Sequence, residues 1–232
     1  MRDNGRVATR KPTEAELARR VSILTAEHAS LQAQRGSTQA ETLVRQGLYL
    51  TVASAVLVSL GLVAQAIGFS RDFFIVAVCA LAAVLILGIV TLTRQANADA
   101  EDMMYVLAMN RIRGAYAAVD PDVAAEFVVS AHDDPEGAFV TYYPFASRRN
   151  TIFASALMFL TIVNGGIAGL LAGTISAVAG GPLVMSVIIG AVAAAVAIVL
   201  ALLAVLLGYR TTERVHVPRY PSPPGSRTSP AP

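Results

Sequence analysis

The sequence predicts an all-α fold: a polytopic α-helical membrane protein of two transmembrane hairpins, four spans in all, with cytoplasmic helices attached. Three observations predict it. Charged residues make up only 15% of the chain, against roughly 25% in soluble domains. Four apolar runs reach the length of about 20 helical residues that crosses a hydrocarbon core of about 30 Å. The basic residues fall almost entirely on one side of the topology that those runs define. All but one of the 18 basic residues are arginine, and alanine is abundant, which fits a GC-rich genome and says nothing of activity. A formal net charge of +2 makes no case for nucleic acid. Cys79 is the single cysteine, so no intrachain disulfide is expected.

Residues 1–46 read as a cytoplasmic N-terminal region. Residues 1–12 carry Arg2, Arg6, Arg10 and Lys11 with no apolar period, a mobile basic leader without the features of a cleavable signal peptide. Thr13 and Glu16 fit a capping box. An amphipathic helix over about 13–35 follows, with Leu17, Val21, Leu24, His28 and Leu31 spaced by four and three. About two heptads are too few for a coiled coil, so this helix needs a partner or a membrane surface. Ser37 to Glu41 gives a second capping signal, which predicts a break near Gly36 and a new helix into the bilayer.

The first hairpin is expected over 47–93, with spans about 48–69 and 73–93 joined by Ser70-Arg71-Asp72. The second covers 151–208, with spans about 151–173 and 182–208. Between them lies the cytoplasmic segment 94–150. Residues 209–232 hold Pro218, Pro221, Pro223, Pro224, Pro230 and Pro232, a composition that predicts a disordered, Pro-rich cytoplasmic tail.

Orientation follows from the arginines. Residues 1–46 carry eight basic residues, 94–150 five and the tail four, whereas the two short turns hold Arg71 alone. This predicts a multi-pass protein of the inner (plasma) membrane with both termini and the middle segment in the cytoplasm. Within that segment, Tyr105, Met109, Ile112, Tyr116 and Val119 repeat the four–three spacing. The second span should therefore continue as a stalk helix over about 95–119. Asp120 and Pro121 suit the N-cap and first position of a further short helix. Over 121–142 the alternative to helix is a strand pair, Phe127-Val128-Val129 against Ala138–Tyr142.

The spans carry no Asp, Glu, Lys or Arg, which disfavours proton-coupled transport and voltage sensing by intramembrane charges. Gly165, Gly169 and Gly173 share one face of the third span, and Ser186, Gly190 and Ala194 one face of the fourth. Small residues let helix backbones approach, so these seams join the two spans, assemble copies of the chain, or line a pore. Asn164 beside them suits a hydrogen bond to a neighbouring helix. His132, Asp133 and Asp134 are the one cluster with metal-ligand or acid–base character. No zinc spacing, HExxH or EF-hand pattern accompanies them, and a solvated turn is the expected reading. No nucleotide-binding loop or nucleophile elbow is found, so neither a cofactor nor enzymatic activity is expected.

The run Met104 to Tyr116, containing Met109-Asn110-Arg111-Ile112-Arg113-Gly114-Ala115-Tyr116, followed by Ser130-Ala131-His132-Asp133-Asp134, resembles a pattern of four-span integral membrane proteins of high-GC bacteria. That group implies no particular activity. In layout, the first half also resembles the two-span effector modules of bacterial conflict systems, a likeness of architecture alone. The function expected is that of a scaffold, regulator or effector acting through cytoplasmic helices. Its interaction stripe is Leu17, Val21, Leu24 and Leu31 with Tyr105, Met109, Ile112 and Tyr116. The expected partners are the lipid bilayer and a protein on the cytoplasmic side, including a second copy of the chain. The alternative is an oligomeric pore or small-solute transporter.

Overall fold

A computed structural model describes residues 13–143 and 155–223. Six helices follow in order: α1 (Glu14–Ile67), α2 (Arg71–Val119), α3 (Pro121–Ala124), α4 (Pro135–Tyr142), α5 (Ala156–Val178) and α6 (Leu183–Val215). No strand occurs among the described residues, so α3 and α4 take up the two ends of 121–142. Four helices are long and apolar enough to cross a membrane: α1, α2, α5 and the Leu183–Gly208 part of α6. The basic leader 1–12, the approach to the third span at 144–154 and the end of the tail at 224–232 lie outside the described residues.

Local chemistry explains the helix boundaries. Thr13 and Glu16 form the reciprocal capping box, with Thr13 N–H donating to Glu16 Oε2 at 2.7 Å and Glu16 N–H to Thr13 Oγ1 at 3.3 Å. α1 does not break at Gly36. A glycine inside a helix costs about 1 kcal/mol relative to alanine, whereas a break there would strip partners from up to four carbonyls and four amides. The hairpin turn comes two residues earlier than expected, at Gly68-Phe69-Ser70. Gly68 adopts φ +67°, a conformation that suits glycine, and Ser70 Oγ accepts Phe73 N–H at 3.2 Å. Arg71 and Asp72 thus belong to the first turn of α2. Asp120 caps α3 by accepting Asp122 N–H, with Pro121 opening the helix.

The chain forms two compact units. One holds residues 13–34, 105–141 and 218–223; the other holds 35–104, 142–143 and 155–217. In the second, Tyr49 and Ala53 of α1, Leu81 and Val84 of α2, and Leu160 and Ile167 of α5 share one core. One polar group is built into it. Tyr49 O–H donates to Asn164 Oδ1 at 2.8 Å, and Asn164 Nδ2 donates to the Gly88 carbonyl at 3.0 Å. A β-carbon on Gly88 would strike Asn164 Oδ1, so the missing side chain makes room for this amide.

The polar part of that unit carries an ion-pair layer between α1 and α2. Arg35 donates from two nitrogens to Asp102, which also accepts Tyr142 O–H at 2.6 Å. Arg94 donates to both Glu41 and Glu101. Gln46 donates to Gln95, which donates to Asp99 at 2.7 Å. Burial, with Asp102 nearby, pushes the Asp99 carboxyl up to about 6 although Gln95 opposes the shift.

The end of the chain differs from expectation. The span within α6 ends at Gly208 as expected, but the helix itself continues to Val215, into the segment expected to be disordered. Residues 219–222, expected to be disordered, bend at Arg219-Tyr220 and are held by hydrogen bonds. Composition predicts disorder when a segment has nothing to bury or bond. Here Asp133 and Asp134 supply partners far away in sequence.

Candidate functional site: a polar clamp

The first unit gathers most of its long-range polar contacts around Asp133 and Asp134. α2 presents Asn110, Arg111, Arg113 and Gly114 within a turn and a half, and the loop before α4 presents Ala131 to Asp134. Asn110 is fully buried. Its Nδ2 donates to the His132 carbonyl at 2.9 Å, while its Oδ1 accepts Arg113 at 2.6 Å and Thr141 Oγ1 at 3.0 Å. These bonds use most of the amide's capacity and fix the loop against the helix.

Asp133 is wholly buried and ion-paired to Arg111 at 2.5 Å. Its carboxylate also accepts the backbone N–H of Arg219 at 3.0 Å and of Tyr220 at 2.6 Å. In return, Asp133 N–H donates to the Tyr220 carbonyl at 3.1 Å. Asp134 performs two tasks. Its Oδ1 accepts Gly137 N–H at 2.7 Å in the first turn of α4, and it accepts both Ser222 N–H at 2.6 Å and Ser222 Oγ at 2.8 Å. Burial raises both carboxyls, but the backbone donors outweigh it and hold each below the usual carboxylate range. Arg111 adds to this at Asp133, and the Ser222 hydroxyl and the His132 charge at Asp134.

Two glycines shape the clamp. A β-carbon on Gly114 would sit 2.6 Å from the Tyr220 ring and 2.8 Å from the Ala131 carbonyl. The ring therefore occupies the space that a side chain would fill. A β-carbon on Gly137 would strike the His132 carbonyl. The Arg219 guanidinium lies over the Tyr220 ring at 5.9 Å. His132 Nδ1 is buried without a hydrogen-bond partner.

His132, Asp133 and Asp134 are therefore not a solvated turn. Asp133 and Asp134 spend their acceptor capacity on backbone amides, and among the described residues no three His, Cys, Asp or Glu side chains converge as a metal set. The apolar stripe of the first unit turns inward. Leu31, Met109 and Ile112 are buried, with Leu17, Leu24, Tyr105 and Tyr116 half-buried and Val21 exposed. Thr25 Oγ1 and Tyr116 O–H are hydrogen-bonded at 3.1 Å. His28 faces this layer, its pKa lowered by burial and by the Arg113 charge.

The glycine seams of the other unit lie against each other. Gly169 faces Gly190 and Ala194, Gly173 faces Ser186, and Gly165 faces Ile198 and Ala194. Sequence reasoning gave no contact role to Asn110 and Gly114, which entered only within the Met104–Tyr116 run, or to Tyr49, Gly88 and Tyr220. Asn110 and Gly114 had a readable signal, a polar and a flexible residue inside an otherwise apolar helical stripe. Tyr220 had none, because its partner lies 106 positions away in a helix of different character.

Compared with protein-family models, with curated proteins and with solved structures, the chain matches none.

Proposed function

We propose that this chain is a non-enzymatic, multi-pass membrane protein of the bacterial inner (plasma) membrane that works as a scaffold, regulator or effector. It engages a protein partner, or further copies of itself, on the cytoplasmic side. The observation that carries this reading is the use made of the acidic pair. The cluster best suited to acid–base or metal chemistry is committed to holding a peptide backbone, with Asp133 accepting two successive amides and Asp134 a third. That is the work of a recognition site.

Sidedness supports the same reading. Thr25 bonds to Tyr116, and Asp133 to Arg219 and Tyr220. These contacts support a topology in which the N-terminal helix, the middle segment and the stretch after α6 share one face of a bilayer. Apart from Arg71, the basic residues belong with these segments or, as Arg210 and Arg214, with the end of α6 that leads into them, which favours the cytoplasmic face. A reporter or protease site placed at residue 130 should respond only from the cytoplasm; a response from outside overturns the topology. Crosslinking in the native membrane followed by native mass spectrometry in mild detergent should show a retained partner or a defined oligomer. A strict monomer that retains nothing overturns the functional reading.

A further inference from the structure

We propose that the clamp is a binding site for a short, non-helical peptide of Pro-Arg-Tyr-Pro-Ser type, and that the chain's own residues 218–222 occupy it as an exchangeable ligand. The segment bonds as bound peptides do. It contributes no helix and pairs through its backbone, with Tyr220 exchanging bonds in both directions with Asp133. A side-chain anchor, the Tyr220 ring, fills a slot that exists because residue 114 lacks a side chain. Ser222 adds a second, chemically specific contact through both its amide and its hydroxyl.

The sequence of the segment matches that geometry. Pro221 has no N–H to offer and sits between Tyr220 and Ser222, whose amides are both used. Pro218 and Pro221 also fix two φ angles of the unbound segment, which lowers the entropy lost on capture. The receptor half is built largely from its own contacts. Asn110, Arg111 and Gly137 hold the loop through His132, Asp133 and Asp134. A protein presenting the same short sequence would compete for the clamp and release the tail. The inference rests on the same clamp that supports the scaffold reading, but the two are tested apart: a partner or oligomer retained in the membrane answers for that reading, and peptide exchange at the clamp answers for this one.

The test uses the full chain in lipid nanodiscs with a fluorescent peptide copying residues 216–223. In a Tyr220→Ala, Ser222→Pro variant, the tail loses its ring and one amide donor. The peptide should then bind saturably, at least tenfold more tightly than to the unaltered chain. Adding Asp133→Asn, or scrambling the peptide, should remove that binding. Equal binding by the scrambled peptide, or no saturable binding, overturns the proposal. Hydrogen exchange on the unaltered chain gives a second arm that needs no variant. The amides of Arg219, Tyr220 and Ser222 should exchange together and at least tenfold faster than that of Ala138. Exchange at the same rate would mean that the segment is an integral part of the fold, and would overturn the proposal.

Discussion

The two compact units solve the problem of close approach in opposite ways. In the apolar unit, α5 meets α6 by leaving side chains out: Gly169 and Gly190 bring backbone against backbone. In the polar unit, α2 meets its loop by putting polar side chains in and satisfying them: Asn110 and Asp133 are wholly buried yet bonded on several sides. The difference follows from the surroundings. In lipid, apolar packing gives a helix no preference for protein over solvent, so fit and small residues decide. Next to water, apolar burial comes readily, and unique geometry is set by buried polar groups that each need a particular partner. One kind of contact fails through excess volume, the other through an orphaned buried polar group.

The largest effect should come from orphaning the buried donors. Asp133→Ala leaves two backbone amides without their acceptor and takes a partner from Arg111, whose side chain is partly exposed; each buried donor left unsatisfied costs about 1–3 kcal/mol. Hydrogen exchange should accelerate across 130–141 and 219–222 while α5 and α6 remain protected. The same acceleration in α5 and α6 would show that the two kinds of contact are not separable. The bonds that hold Asp133 below the ordinary carboxylate range give a matching pH dependence. A carboxylate with a lowered folded-state pKa stabilises above its unfolded pKa near 4, and that contribution is lost as pH falls through the lower folded value. The clamp should therefore loosen only in acid, below about pH 4.

Excess volume comes next. Gly169→Leu would drive a branched side chain into Gly190 and Ala194, and overpacking costs about 1–3 kcal/mol or more. α5 and α6 should separate in SDS titrations followed by circular dichroism, with the clamp amides unaffected. Gly166→Leu, whose β-carbon meets nothing within 4 Å, is the matched control. Equal losses from both would mean that the seam does not hold α5 to α6.

How much of this was legible in the sequence also divides along the same line. The seam could be read directly because Gly165, Gly169 and Gly173 recur every four residues, the repeat of one helix face. The capping box at Thr13 and Glu16 and the start of α3 at Asp120-Pro121 were legible for the same reason, as local chemistry within four residues. The clamp was not. Its hydrogen bonds reach across 22 positions at Asn110–His132 and 88 at Asp134–Ser222, and neither His132-Asp133-Asp134 nor the proline-rich tail shows by itself that it has a partner. The unbroken α1 was misread because a local capping signal at Ser37 competed with helix continuity, and continuity satisfies more backbone groups.

Asp99 tests the comparison where the polar and apolar chemistries meet within one unit. Its folded pKa of about 6 lies above the ordinary 3.8. The sign is therefore opposite to that of Asp133: the folded state prefers the protonated form, and stability falls as pH rises from about 4 through 6. At neutral pH this costs at most about 3 kcal/mol, less after screening at a partly exposed site. Asp99→Asn should raise the midpoint of SDS unfolding at pH 7.5 and change little at pH 4.5. An equal shift at both values would assign the effect to packing.

The smallest effect, and the sharpest probe of the contrast, is at Asn164. It is a polar contact placed where small residues otherwise decide. The α1–α2 hairpin meets α5 through it, with Tyr49 on one side and the Gly88 carbonyl on the other. A polar bond between membrane helices averages only about 0.6 kcal/mol and reaches about 1.7, well below the cost at Asp133. Asn164→Leu also leaves an O–H and a carbonyl near each other with no amide between them, so the single variant overstates the bond. A cycle of Tyr49→Phe, Asn164→Leu and both together isolates the coupling. SDS unfolding should return about 0.5–1.5 kcal/mol for that coupling. A value of 3 kcal/mol or more would mean that satisfied polar groups dominate in the apolar unit too, and the division between the two regions would fail. Gly88→Ala supplies the steric counterpart: its new β-carbon displaces the amide itself, and it should cost more than Asn164→Leu although it removes no hydrogen-bonding atom.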